Sequence, residues 1–125
     1  MTARTGRPRL PRHHPERVAR ARLSLDGLSV GDALGQGFLW PGAHLLAERR
    51  ELPAGRWPVT DDTVMALSVC DVLERCGGID QDQLAGLLAE RDRRQPYRGY
   101  GAMAHAVLQA IGRGLGPRGG RRRGR

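Results

Sequence analysis

Residues 60–78 read TDDTVMALSVCDVLERCGG, and this stretch predicts one amphipathic helix with both of its ends marked. Thr60 is a residue type that caps helix N-termini, and Asp61 and Asp62 follow in the first turn, where carboxylates suit the positive end of the helix dipole. The glycine pair at 77–78 then ends the helix. Its apolar stripe consists of Met65, Val69, Val72 and Cys76, widened by Val64 and Leu67.

Helical patterns continue on both sides of this stretch. Upstream, apolar positions at helical spacing predict a first helix from about Glu16 that runs into Gly31, followed by a loop over residues 36–58 with a short turn near 45–50. Downstream, Asp80 followed by Gln83 resembles a capping box for a third helix, and a fourth is predicted over residues 100–111. Since aromatic residues make up only 4% of the chain, the predicted fold class is all-α, a partial helical bundle of about four helices.

The net charge of +8 is concentrated at the two ends of the chain. Residues 1–22 hold seven Arg and one Glu, residues 113–125 hold six Arg and no acid, and residues 23–112 hold eight Arg and twelve acids. We therefore predict disordered basic segments over residues 1–15 and 113–125, on either side of a mildly acidic helical domain over 16–112. Such Arg-rich ends can bind nucleic acid non-specifically, although the simpler interpretation is a solvated tail.

Cysteine usage and hydropathy favour a cytoplasmic protein with no membrane partner. Cys70 and Cys76 are too few and too close for a disulfide framework, and neither has a second Cys or a His at zinc spacing. No apolar run approaches the ~18 residues of a membrane span. The Arg- and Pro-rich N-terminus also lacks the apolar region of a secretory signal.

Thr60, Asp61 and Asp62 are the candidate metal ligands of the chain. Two adjacent carboxylates beside hydroxyl groups supply hard oxygen ligands, which suit Mg²⁺ or Mn²⁺ rather than zinc. At a helix start, these side chains can project into a cleft instead of lying along the apolar stripe. An ordinary N-cap with first-turn acids explains the same residues without a metal, and on spacing alone that interpretation is favoured.

Two glycine-containing segments are further candidates for a binding site. Gly-Asp-Ala-Leu-Gly at residues 31–35 can permit close helix packing or the approach of backbone to a ligand, but it lacks the glycine spacing of a dinucleotide fingerprint. In Arg-Gly-Tyr-Gly at residues 98–101, Tyr100 can stack on a ligand ring and Arg98 can meet phosphate. Taken alone, each segment is better explained by packing or by a helix-opening turn. No histidine, and no other residue, is assigned to catalysis.

Taken together and in this order, the three segments resemble the start of the ADP-ribosylglycohydrolases, a family that includes the dinitrogenase-reductase-activating glycohydrolases. The resemblance covers roughly residues 17–112 and includes WPVTDDTVMAL at residues 57–67. It implies an all-α fold and a two-metal centre, usually of magnesium or manganese. Such a centre hydrolyses the glycosidic bond between ADP-ribose and a modified side chain, so the expected partner is an ADP-ribosylated protein or ADP-ribose. Positions 60–62 match the family's first metal-ligand group, and Gly99, Tyr100 and Gly101 match a loop that lines the ADP-ribose site.

Three departures from the family pattern bear on activity. Leu39 stands where many members have an acid, Met103 stands where a glycine often follows the Tyr-Gly pair, and the family's second ligand group, an Asp-x-Asp-Thr, has no counterpart. We therefore expect at most half of a binuclear site, as in a truncated or frame-shifted product, with weak activity or none. The alternatives are a non-catalytic ADP-ribose- or nucleotide-binding relic and a small basic nucleic-acid-binding protein. The acidic middle of the chain speaks against the last of these.

Overall fold

The computed structural model describes residues 9–114, and every regular element in that range is a helix. The helices are α1 (His14–Gln36), α2 (His44–Glu48), α3 (Asp61–Cys76), α4 (Gln81–Arg94) and α5 (Ala102–Gly112). The all-α prediction is confirmed, and the short α2 is added to the four predicted helices. Within these residues, no helix combines the length and the apolar character that a membrane span requires.

The helices surround a small apolar core. α3 packs against both α1 and α4, and α5 packs against α4. The buried apolar residues of the core, all of them small or medium in size except one, are Ala33, Ala43, Val64, Val72, Ala89 and Leu108. Because alanine buries little area, apolar burial alone gives these helices limited stabilisation, and polar contacts between helices help to fix their positions.

The buried face of α3 differs from the predicted apolar stripe. Val64 is buried as predicted, but Val69 is exposed, and Thr63 and Ser68 are buried instead. The Ser68 hydroxyl donates to the Val64 carbonyl oxygen at 3.0 Å and accepts a hydrogen bond from Arg91 of α4 at 2.8 Å. Since a buried polar group with satisfied hydrogen bonds is tolerated, contacts with α1 and α4 decide which face of α3 packs, and hydropathy alone does not.

Both predicted helix caps are present. The Thr60 hydroxyl accepts a hydrogen bond from the backbone N–H of Asp62 at 3.3 Å. The Asp80 carboxylate accepts from the backbone N–H of Gln83 at 3.0 Å and from its side-chain amide at 3.4 Å. α3 ends at Gly77, whose φ of 71° is the left-handed conformation that favours glycine at this position.

α1 is longer than predicted, because it continues through Gly31 into the next turn instead of ending there. A helical glycine costs about 1 kcal/mol relative to alanine, but it does not by itself end a helix. Burial of Ala33 and three hydrogen bonds to Asp32 accompany the extra turn. A side chain at Gly31 or Gly35 would meet nothing within 4 Å, so close packing does not explain these two glycines.

The chain between α1 and α3 is held near its middle by Pro53. A Cβ atom at Gly37 would lie 2.7 Å from Cγ of Pro53, so the chain leaves α1 through a contact that only glycine permits. Trp57 then donates from Nε1 to the Pro53 carbonyl oxygen at 2.9 Å. These contacts return the chain to the side of α1 shortly before α3 begins.

Charged residues connect the helices. Asp71 of α3 accepts hydrogen bonds from Arg22 of α1 at 2.7 Å and from Arg91 of α4 at 2.5 Å. Burial acts to raise the pKa of Asp71, but the hydrogen bonds from Arg22 and Arg91 outweigh burial and hold that pKa below its ordinary value. His105 of α5 has a partner that sequence spacing does not reveal, since its Nδ1 lies 2.7 Å from Oδ1 of the buried Asp92 on α4.

Most of the two segments predicted to be disordered lies outside the described residues, which exclude 1–8 and 115–125. In the part of the N-terminal segment that is described, Pro11 lies against the end of α3, where a Cβ at Gly77 would be 2.6 Å from its Cδ. His14 follows, with Nε2 at 2.8 Å from the Glu74 carbonyl oxygen. Both cysteines are free and half-buried.

Candidate metal centre

The start of α3 is joined to α1 through the carboxylate of Asp32. Its Oδ1 accepts a hydrogen bond from the Thr60 hydroxyl at 2.7 Å. Its Oδ2 accepts from the Thr60 backbone N–H at 2.8 Å and from the Thr63 hydroxyl at 2.6 Å. One side chain of α1 therefore receives three hydrogen bonds from the first residues of the α3 region, and the position of Thr60 relative to α1 is fixed.

These hydrogen bonds also control the charge of Asp32. Burial acts to raise the pKa of this carboxyl, but the hydrogen bonds from Thr63 and Thr60 outweigh burial, and the pKa lies below its ordinary value. Asp32 is therefore ionised at neutral pH. Its partners are not predictable from sequence spacing, because 28 and 31 residues separate Asp32 from Thr60 and Thr63. The only signal in the sequence is that an acid lies between the glycines of residues 31–35.

Asp61 and Asp62 lie beside Thr60 with their carboxylates available. The Asp61 side chain is half-buried and that of Asp62 is exposed. The Asp61 backbone N–H donates to the Arg98 carbonyl oxygen at 2.8 Å, which connects the start of α3 to the loop before α5. Among the hydrogen bonds of residues 9–114, neither carboxylate serves as an acceptor. Two carboxylates of neighbouring residues are thus without a hydrogen-bond donor from the described part of the chain.

An open cleft of about 490 Å³ lies over these residues. One wall belongs to α1 and the turn after it, including Asp32 and Leu39, and the other belongs to positions 60–62 and Gly99. Gly31 and Gly35 also line the cleft, and nothing lies within 4 Å of a Cβ at either position. The backbone at these glycines is therefore open to a bound molecule, which is the second of the two roles considered for them. Within the described residues the cleft is acidic, since its wall includes three aspartates and no Lys, Arg or His.

The loop at residues 99–101 reaches this cleft through one residue. Gly99 lines the cleft with a φ of 95°, and a Cβ there would lie 3.6 Å from Oδ1 of Asp61. Tyr100 points inward, since its hydroxyl is buried. This hydroxyl has no hydrogen-bond partner in the described part of the chain. Burial, followed by the charges of Asp92 and Asp61, raises the pKa of this phenol. Gly101 precedes α5 as its N-cap and does not line the cleft.

Arg98 fastens this loop to the segment that precedes α3. Its Nη1 donates to the Val59 carbonyl oxygen at 3.1 Å, and its Nε donates to Oε1 of Gln95 at 2.8 Å. The guanidinium is also stacked over the Tyr97 ring at 5.4 Å from the ring centroid. The side chain considered for phosphate binding is therefore engaged with the protein, and it does not line the cleft.

A family model described as ADP-ribosylglycohydrolase matches residues 13–124. The chain belongs to the ADP-ribosylglycohydrolase family. The family is generally metal-dependent and acts on ADP-ribosylated substrates. No solved structure matches the chain. The predicted family is therefore confirmed.

The oxygen atoms at the start of α3 suit one side of a hard-cation site. Within residues 9–114, no group of three or more His, Cys, Asp or Glu side chains is arranged to hold a metal ion. Mg²⁺ does not require such a group, because it keeps several waters and is commonly bound by one or two carboxylates together with substrate phosphates. The Asp61 and Asp62 carboxylates fit that description, and the Thr60 hydroxyl is a further oxygen beside them.

Gly99→Ala tests whether the backbone at the cleft needs glycine. We expect the variant to be less stable by about 1–3 kcal/mol, because a side chain at this positive φ is strained, and its Cβ would also contact the Asp61 carboxylate. Thermal unfolding followed by circular dichroism measures the difference. The matched control is Gly86→Ala within α4, where nothing lies within 4 Å of a Cβ and alanine should stabilise the helix by up to about 1 kcal/mol. A Gly99→Ala melting curve that matches that of the wild type would contradict the claim that a side chain is strained at this position.

Proposed function

We propose that this chain forms one side of a metal-dependent glycohydrolase site that cleaves the bond between ADP-ribose and a modified protein side chain. Thr60, Asp61 and Asp62 are the proposed ligands for Mg²⁺ or Mn²⁺. Gly99, with Tyr100 and Gly101 behind it, is the proposed boundary of the ADP-ribose site. The observation that carries the proposal is the acidic cleft, whose wall includes the anchored Thr60 and two aspartates with no hydrogen-bond donor among residues 9–114.

The charge of the cleft is the physical reason for metal dependence. ADP-ribose carries a diphosphate, and the three aspartates that line the cleft repel it. A divalent cation held by Asp61 and Asp62 reverses this repulsion and provides oxygen-binding positions for the ribose hydroxyls and phosphates. When bound, such a cation orients the sugar and lowers the pKa of a water. The residues of the chain contribute by holding the ion in place and leaving room for the ligand above Gly31 and Gly35.

A second candidate function, binding of ADP-ribose or a nucleotide without turnover, is favoured by one residue. Leu39 lines the cleft and is 76% exposed, at the position where many family members have an acid. A leucine side chain can neither donate nor accept a proton, so general acid–base catalysis from this position is not possible. The third candidate, nucleic-acid binding, would involve only the Arg-rich ends and would not use the cleft.

Metal binding is the first test of the proposed site. The wild-type chain should bind Mn²⁺ weakly in a calorimetric titration, and Asp61→Ala combined with Asp62→Ala should abolish the binding heat. The matched control is Glu16→Ala combined with Asp26→Ala, which removes the same charge from two exposed positions of α1. Mn²⁺ binding that is equal in the two double variants would contradict the assignment of the ligands.

Turnover is the second test. We expect the isolated 125-residue chain to release no measurable ADP-ribose from ADP-ribosylated arginine or serine peptides. Two-metal catalysis requires ligands on both sides of the ion pair, and only one ligand group is available among these residues. A site displaced by ~1 Å can by itself lose ~10²-fold in rate. Chromatography of the released ADP-ribose measures the outcome. Metal-dependent release that Asp61→Ala abolishes would contradict the expected inactivity, while it would support the hydrolytic function.

A further inference from the structure

The hydrogen bonds of the Thr60 hydroxyl leave it with a defined orientation. At the 2.7 Å contact with Asp32, the Thr60 hydroxyl donates its proton to Oδ1 of the carboxylate. A hydroxyl has one proton and two lone pairs. The proton is used for Asp32, and one lone pair accepts the N–H of Asp62 at 3.3 Å. The remaining lone pair accepts no hydrogen bond from residues 9–114, and Thr60 is one of the residues that line the acidic cleft.

We propose that Asp32 is a positioning residue that prepares the Thr60 hydroxyl oxygen as an acceptor for a divalent cation. This inference rests on the proposed function and assigns a role that lies outside the ligand group itself. By holding the hydroxyl proton on the α1 side, Asp32 keeps that proton away from the cation. By also accepting the Thr60 backbone N–H, it fixes the residue from which the oxygen projects. Its negative charge adds to the attraction of the cleft for a cation.

The hydrogen bond from Thr63 to Asp32 makes it possible to test the positioning role of Asp32 separately from its contribution to stability. Asp32 binds Thr63 as well as Thr60, and the Thr63 contact also connects α1 to α3. Thr63 is buried and does not line the cleft. Removing the Thr63 hydroxyl therefore weakens the connection between the helices without changing the direction of the Thr60 proton. A substitution at Asp32 changes both the connection between the helices and the direction of the Thr60 proton.

The informative substitution at this position is Asp32→Asn. Asparagine has nearly the same size and keeps one acceptor oxygen, but its amide group donates hydrogen bonds. Where that NH₂ group faces Thr60, the Thr60 hydroxyl must accept, and its proton is released toward the cleft. Residues that orient metal ligands typically change metal affinity by about 10–100-fold when they are mutated.

The experiment measures Mn²⁺ affinity of the whole 125-residue chain by titration calorimetry for the wild type, Asp32→Asn and Thr63→Val, with a thermal melting curve of each. We expect Asp32→Asn to weaken Mn²⁺ binding by about 10-fold or more. Thr63→Val should change the affinity by less than about threefold, even though its melting temperature falls, because the cleft keeps its ligands. Equal losses of affinity in both variants, or wild-type affinity in Asp32→Asn, would overturn the positioning role.

A second measurement separates this inference from the proposed function. If the wild-type chain binds no Mn²⁺, the proposed metal site fails, and amide hydrogen exchange then decides the role of Asp32 by itself. We expect the Thr60 and Asp62 amides to exchange faster in Asp32→Asn than in Thr63→Val, because only the first variant disrupts the hydrogen bonds of Thr60. The same exchange rates at these two amides in both variants would overturn the inference without reference to metal.

Discussion

The three hydrogen bonds that Asp32 accepts are the constraint on which the cleft depends. A connection of more than twenty residues that includes α2 separates α1 from α3, so the start of α3 needs a direct contact with the end of α1 to be placed beside it. Thr60 and Thr63 provide that contact through both oxygens of one carboxylate. The same interaction that caps and places α3 therefore forms the two walls of the cleft.

The rest of the structure relies on polar contacts in a similar way. The apolar core is made largely of alanine and valine, whereas Met103 is 82% exposed and Leu39 is 76% exposed. Asp71 joins α1, α3 and α4 through two arginines, and the Asp92–His105 pair joins α4 to α5. A buried aspartate that loses its partner is costly, so such pairs set the relative positions of the helices with little tolerance for change.

The sequence predicted local features well because their physical causes are local. Thr60 and Asp80 cap helices through residues two or three positions away, and Gly77 ends α3 through its own backbone conformation. The family could be predicted because several short segments occur in a characteristic order. The fold class followed from a composition rich in helix-forming residues and poor in aromatic ones.

Features that depend on contacts between distant residues could not be predicted. The hydrogen bonds to Asp32, which lies in the part of α1 past Gly31, cross 28 or more residues of sequence. The inward position of Tyr100 and the burial of Ser68 likewise result from neighbouring helices. At the candidate site, residue types indicated positions 60–62 as candidate ligands, and the structure places Gly99 and Leu39 on the same cleft as these residues.

The central claim is that the start of α3 and the facing part of α1 together form a cation site. The most direct test is to add Mn²⁺ in small steps to the ¹⁵N-labelled chain and to follow paramagnetic broadening of its amide resonances. The account predicts that signals of Gly31, Thr60, Asp61, Asp62 and Gly99 disappear first, because these residues border one cleft. Earlier loss of signals at the start of α4, or uniform broadening along the chain, would contradict it.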